Sequence, residues 1–391
     1  MLFMAINNTT TYLRELDLRD FAGSAFLFGP RMTGKTALLR NLRSTLYFDL
    51  LDRELEIDLR GNPKRFWEEM TALKPGSRVI IDEIQRLPSL LDYVQMAMEK
   101  LKVSFFLSGS SARKLKRGGA NLLGGRALDL KLHPLTVKEL GQDFSLPLAL
   151  TYGTLPRVSV LLHEKKPKEA TRLLRSYHTT YLKEEIQAEA IVRKLDAFQR
   201  FLAVSAQANA QMIEYANISR ECSVPMESVK EYFQILEDTL LGTFLWPWDR
   251  SERKKARPKF YFFDCGVVRA LQNLAGTPLL PLEVGHFFET WFVNELIRIR
   301  DYHEKQHRLS LWRDGEWEID VLVEDGRGPL MAYECKSGKQ IKNTPSINAF
   351  RKKFSKVPLY VCSMVDTTKR KLENGAIILP WQEALLKYSE V

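Results

Sequence analysis

Short, nearly continuous apolar runs dominate the first third of the chain. "SAFLF" (24–28), "RVIID" (78–82) and "VSFFLSG" (103–109) each end in or run into glycine, acid or small hydroxyl residues, as buried strands of an α/β sheet do. An amphipathic helix follows the first run, and the alternating "ALDLKL" (127–132) reads as a further strand. From Pro167 to about Ala210 the spacing turns helical, with Leu173, Leu174, Tyr177, Tyr181, Ile186, Phe198, Phe201 and Leu202 apolar. One helix is predicted to end near Asn209 and a shorter one to span 213–222. A third follows, in which Val229, Tyr232, Phe233, Leu236 and Leu240 share a face, and "TFLWPW" follows as strand. The last third opens with an amphipathic helix over 282–302. Three strands come next, joined through "DG" and "DGRG" turns, which favour hairpins.

With 391 residues, two or three domains are expected. Apolar content of 45% and charged content of 27% describe a folded chain. The formal net charge of +10 makes an anionic partner the first to test, nucleic acid above all. Cys222, Cys265, Cys335 and Cys362 are far apart in sequence and show no zinc-ligand spacing, so buried reduced thiols are expected. Arg14 and Glu15 arrive too early for a signal-peptide core, and no window approaches the roughly 20 apolar residues of a membrane span. The expectation is a soluble, cytoplasmic protein with no membrane partner.

Candidate chemistry begins after the first strand. Gly29-Pro30-Arg31-Met32-Thr33-Gly34-Lys35-Thr36 fits the GxxxxGK(S/T) P-loop. Its backbone amides turn around phosphate, Lys35 reaches the β- and γ-phosphates, and the Thr36 hydroxyl ligates magnesium. ATP and Mg2+ are therefore the expected cofactors. Asp82 and Glu83 follow the "VII" strand at its carboxyl end, where open α/β sheets bind ligands. Asp82 is placed to hold magnesium and Glu83 to polarise the water that attacks the γ-phosphate. "LSGSSARKL" offers Ser108 and Ser110 as the polar group that orients water or γ-phosphate, and the sequence does not choose between them.

"GPRMTGKT", "VIIDEIQRLP", "LSGSSARKL", and "GGR" before "L-x-L-x-P-L-x-x-x-E-L" together resemble AAA-type ATPases of one prokaryotic family. That family carries a C-terminal domain named only as being of unknown function. The resemblance implies an AAA+ P-loop sheet and makes Arg126 the γ-phosphate-sensing arginine, acting on a neighbouring subunit or partner, with Arg113 the alternative. A pairing of Arg126 with a surface carboxylate is the bland reading. "TYGTLPRVSVLL" (151–162) is similar to the Gly-x-x-Pro connection after the ATPase core of that family, with Tyr152 where a second glycine is usual.

Three short helices and a strand pair make a winged helix of residues 198–248. Glu227, Ser228, Lys230 and Glu231 are a poor base-reading set, so the third helix fits docking on protein as well as on DNA. Arg250, Arg253, Lys254, Lys255, Arg257 and Lys259 then crowd a predicted wing. They are suited to lying along a phosphate backbone, or to forming a solvated loop.

In "EWEIDVLVE" and "YECKSGK", Asp320 and Glu334-x-Lys336 lie on successive strands behind a helix that bears Glu289. That is the order of the PD-(D/E)xK nuclease core, which the last part of the same ATPase family resembles, and Gly285, Glu289, Glu295 and Leu296 match its helix. Asp320 and Glu334 would share a second Mg2+ or a Mn2+, with Glu289 as a further contact and Lys336 holding the attacking water. The bland reading is a buried salt-bridge cluster. The fold expected is α/β: an AAA+ ATPase domain (1–150), a helical lid and winged helix (151–258), and a small restriction-endonuclease-like domain (259–391). Function then divides between an ATP-driven enzyme acting on DNA and an ATP-dependent switch that binds DNA or protein without cleavage.

Overall fold

A computed structural model describes residues 12–110, 115, 123–177, 195–248 and 257–391. Two compact units emerge: residues up to 139 together with 155–160 and 238–241, and the remainder.

The first unit is built on a parallel sheet of β1 (Ser24–Phe28), β2 (Leu46–Asp49), β3 (Arg78–Asp82), β4 (Ser104–Gly109) and β5 (Ala127–Lys131), in the order β2-β3-β4-β1-β5. Strands covered on both faces must be apolar on both. Accordingly Phe26, Phe28, Val79, Ile81, Phe105 and Leu107 enter one core, while Ala25, Leu27, Ile80 and Phe106 enter another. Each of these side chains larger than alanine, fully buried, contributes about 1.5–3 kcal/mol. Helices α1 (Lys35–Arg40), α2 (Arg53–Gly61), α3 (Pro63–Thr71), α4 (Leu90–Leu101) and α5 (Val137–Leu140) lie between and after the strands. Asp52 caps α2 by accepting the Glu54 and Leu55 N–H groups.

The second unit continues through α6 (Leu146–Tyr152), the later part of α7 (Pro156–His163) and α8 (Pro167–Ser176). The helices α9 (Leu195–Gln207), α10 (Tyr215–Cys222) and α11 (Met226–Asp238) precede the antiparallel pair β6 (Gly242–Leu245) and β7 (Lys259–Phe262). Met212, between α9 and α10, bridges to Lys259 on β7. Phe198, Phe201, Tyr232, Phe233 and Phe260 interlock in this region. Of the predicted helical positions, Tyr181 and Ile186 lie outside the described residues.

After α12 (Cys265–Leu271) and α13 (Pro281–Tyr302) comes a sheet in the order β12-β13-β11-β10-β9-β8. Its strands are β8 (Arg308–Asp314), β9 (Trp317–Asp325), β10 (Gly328–Lys336), β11 (Leu359–Ser363), β12 (Arg370–Lys371) and β13 (Ile377–Pro380), with helices α14 (Pro345–Lys353) and α15 (Trp381–Ser389). The two DG-containing turns close the β8–β9 and β9–β10 hairpins, as their composition predicts. Gly153 has φ +72°, and a Cβ there would stand 1.9 Å from Asp264 Oδ1. The Asp264 carboxylate is buried and accepts the Thr154 N–H at 2.7 Å and the Val267 N–H at 3.1 Å. All four cysteines are free thiols. Among the described residues, no helix is long and apolar enough to cross a membrane.

Candidate functional site

In the first unit, β4 lies between β1 and β3, so the loop after β1 and the acids after β3 emerge at the same edge of the sheet. Gly29 opens that loop where backbone packs on backbone: a Cβ there would stand 2.3 Å from the Leu132 carbonyl oxygen. Pro30, Arg31 and Met32 carry the loop round, and Met32 and Gly34 take left-handed conformations, φ +66° and +97°. Thr33 Oγ1 donates to the Pro30 carbonyl at 2.9 Å. Lys35 is buried at the start of α1, with Nζ donating to the Gly29 and Pro30 carbonyls at 2.7 and 3.1 Å. Thr36 follows it on the same helix.

Across the edge, Asp82 is fully buried and both its carboxylate oxygens accept hydroxyls: Oδ2 from Tyr47 at 2.9 Å, Oδ1 from Ser108. Ser108 Oγ also accepts the Glu83 N–H at 3.0 Å. Of the two candidate serines, Ser108 is thus the one in contact with both acids' residues; Ser110 is buried next to the end of β4. Glu83 itself has φ +63°, an uncommon backbone for a non-glycine residue, and its carboxylate accepts the Gln85 side-chain amide. Burial, then the neighbouring Asp82 charge, raise the Tyr47 hydroxyl well above the tyrosine range, which keeps it a donor. These residues fit a magnesium nucleotide. A Gly29 cradle closed to any side chain, an ammonium in the loop, a hydroxyl and a buried carboxylate are the donor set a triphosphate and its ion require.

Arg14 was not marked by the sequence. Its guanidinium donates to the Thr33 carbonyl at 2.6 Å, the His133 carbonyl at 2.6 Å and Glu139 Oε1 at 2.8 Å. A cavity of about 660 Å³ adjoins this point, lined in part by Tyr12, Leu16, Gly34, Leu38, Pro156 and Arg157. Arg126 pairs with Glu99 at 2.8 Å, both side chains partly exposed, as its bland reading expects. The alternative, Arg113, lies outside the described residues.

In the second unit, α13, β9 and β10 bring Glu289, Asp320 and Glu334 into one buried cluster. The group that organises it is Lys259, the first residue of β7. Its Nζ stands 2.7 Å from Glu289 Oε1, 3.1 Å from Asp320 Oδ1 and 2.5 Å from Glu318 Oε1. Lys259 therefore departs from the phosphate-facing role expected of the basic run, because its side chain is buried among acids. Asp320 Oδ2 accepts the Cys335 N–H at 2.8 Å, and Tyr261 donates to Glu289 Oε1 at 2.6 Å. Lys336 Nζ pairs with Glu334 Oε1 at 2.6 Å, while Glu334 Oε2 is buried with no hydrogen-bond partner among the described residues.

Burial would strip the Lys259 proton, but Tyr261, Asp320, Glu289 and Glu318 outweigh it and hold that pKa well above the lysine range. Burial, then Asp320, raise Glu289 to about 7 and Glu334 to about 8. For Lys336, burial is outweighed by Glu334, and its pKa is raised.

A divalent metal does not fit this arrangement. Magnesium wants oxygens at about 2.0–2.1 Å, whereas the acids stand at ammonium distances from a point already held by a positive charge. Among the described residues, no group of three or more His, Cys, Asp or Glu is gathered to hold a metal ion. In this arrangement Glu289 and Asp320, expected to share a metal with Glu334, face Lys259 instead, and Glu334 Oε1 faces Lys336. The alternative of a buried salt-bridge cluster was open to sequence reasoning, but Lys259 was not, because it arrives from a separate strand. Of the predicted wing, Arg253, Lys254 and Lys255 lie outside the described residues, and Arg257 pairs with Glu214.

Residues 23–141 match the family described as an AAA domain, 144–277 a domain of unknown function (DUF8612), and 284–384 a domain of unknown function (DUF4143). An uncharacterized protein of Mycobacterium tuberculosis is 26% identical over 330 residues, covering 82% of this chain and 71% of the relative. An uncharacterized protein of Haemophilus influenzae is 23% identical over 301 residues, covering 68% of this chain and 73% of its own. Among solved structures, a weak likeness is to the replication initiator DnaA bound to AMPPCP and single-stranded DNA. It has TM-score 0.28 and 14% identity, covering 57% of this chain and 84% of that one. With the parallel sheet and its loop, the AAA domain match supports an AAA+ P-loop ATPase for the N-terminal part of the chain.

Proposed function

We propose that the chain is a magnesium-dependent ATPase of the AAA+ type that works as an ATP-driven switch, its C-terminal half binding DNA without cutting it. The observation that carries the ATPase reading is the shared sheet edge. There the Lys35 loop after β1 and the acids Asp82 and Glu83 after β3 flank β4, whose Ser108 bonds to both acid residues. Lys35 and the loop amides hold the phosphates, Thr36 and Asp82 hold magnesium, and the cavity beside Gly34 takes the nucleoside end. Bound magnesium neutralises charge on the phosphates. Glu83 orients and polarises the attacking water, and Ser108 fixes the backbone from which Glu83 projects. Arg126 leaves Glu99, its partner here, to sense the γ-phosphate of a neighbouring subunit.

What supports a nucleic-acid partner is the order α9, α10, α11, β6, β7 with the Met212–Lys259 bridge, which is winged-helix order, together with the net charge of +10. The later order α13, β8, β9, β10 is that of a nuclease core, but lysine ammonium groups occupy its acid cluster, which favours binding over cleavage. A second reading has α11 dock on protein. Glu227 and Glu231 are exposed on it, and Lys230 is tied to Glu227 at 2.8 Å. Phosphate release measured with and without duplex and single-stranded DNA separates the two. Several-fold stimulation is expected of a DNA partner, and no stimulation by any DNA form selects the protein partner.

A further inference from the structure

We propose that Lys259 is the resident cation of the C-terminal acid cluster and shuts divalent metal out of it in the native chain. The inference deepens the non-cleaving reading of that domain by naming the group responsible. Three carboxylates from two elements, Glu289 on α13 and Glu318 and Asp320 on β9, converge on a single ammonium at 2.5–3.1 Å. A lysine swinging in from solvent would not hold this place. Lys259 belongs instead to a wholly buried strand, paired with Leu245 and bridged to Met212, so its backbone is fixed on both sides. The acids are committed as well. Asp320 Oδ2 is held by the Cys335 N–H, and Glu289 shares its oxygen with the Tyr261 hydroxyl. A divalent ion bound to these oxygens would sit within a few ångströms of the ammonium, in surroundings that screen poorly. The cluster therefore has the outline of a metal site whose charge is supplied by the chain itself.

The experiment counts Mn2+ bound per folded chain, from the free-ion paramagnetic resonance signal, in nucleotide-free full-length protein. Lys259→Met removes the charge and keeps the length of the side chain. Wild type and Asp320→Asn are expected to bind the same number of ions. Lys259→Met is expected to bind one more, and the additional Asp320→Asn change to abolish that gain. An Asp320-dependent ion in the wild type overturns the proposal, and so does a folded Lys259→Met that gains none. Should circular dichroism show Lys259→Met unfolded, the wild type against Asp320→Asn decides alone: equal counts uphold the closed site and a lost ion overturns it. Nucleotide is absent throughout, so the result is independent of whether the P-loop site hydrolyses ATP.

Discussion

The Ser108 hydroxyl donates to the Asp82 carboxylate and accepts the Glu83 N–H, tying together two adjacent acids at the end of β3. Glu83 is held at a positive φ beside this contact, so the hydroxyl fixes the direction from which its carboxylate approaches water. Ser108→Ala is predicted to lower kcat for ATP about tenfold, the order of one lost hydrogen bond of 1–2 kcal/mol, with little change in KM. Ser110→Ala should stay within about twofold by the same scale. Equal losses from both variants, in steady-state phosphate release, would sink the assignment.

Arg14 donates to the carbonyl of Thr33 inside the phosphate loop while its other nitrogens hold His133 and Glu139. Arg14→Ala should therefore raise the Kd for ATP by roughly tenfold or more, since the loop loses a charge-assisted hydrogen bond. Added guanidinium ion should partly restore binding. Binding titrations that show unchanged affinity would remove Arg14 from the site.

At Gly153 the conflict is steric. A Cβ would meet Asp264 Oδ1 at 1.9 Å, and the backbone has φ +72°. Gly153→Ala must displace a buried carboxylate from the Thr154 N–H, a loss of about 2 kcal/mol or more. Chemical denaturation should show it. A stability within about 0.5 kcal/mol of wild type would contradict the packing.

Glu334 supplies a pH dependence. Its carboxyl is raised from 4.5 to about 8, first by burial and then by Asp320. A raised acid binds its proton more tightly in the folded chain. Its contribution to stability is full below about pH 4.5 and is lost as pH rises through about 8. Glu334→Gln, which cannot ionise, should lose less stability than wild type between those limits, by about 5 kcal/mol at most, at about 1.4 kcal/mol per pH unit. Parallel pH profiles for the two proteins would refute the shift.

What could be read in the sequence was what is contiguous. The phosphate loop, the acids after β3 and the strand between them are short segments whose spacing carries their geometry. The sheet order β3-β4-β1 then sets Ser108 between the two motif strands. Lys259 could not be found that way. It lies 30 residues from Glu289 and 61 from Asp320, in a run of basic residues whose surface look hid one buried member. Tyr47 was hidden for a related reason: β2 reaches Asp82 only through the register that pairs Asp49 with Asp82. Arg14 reaches Glu139 across 125 residues, beyond what local periodicity reports.

The central claim is that Lys35, Asp82 and Glu83 form one ATP-hydrolysing site. Its most direct test is phosphate release with Mg2+ in wild type, Lys35→Ala and Glu83→Gln, alongside ATP binding. Wild type should turn over ATP. Lys35→Ala should lose binding, and Glu83→Gln should keep binding while kcat falls about 10²–10⁴-fold, the scale of a lost general base. Turnover in Glu83→Gln equal to wild type, or hydrolysis that survives Lys35→Ala, would contradict the account.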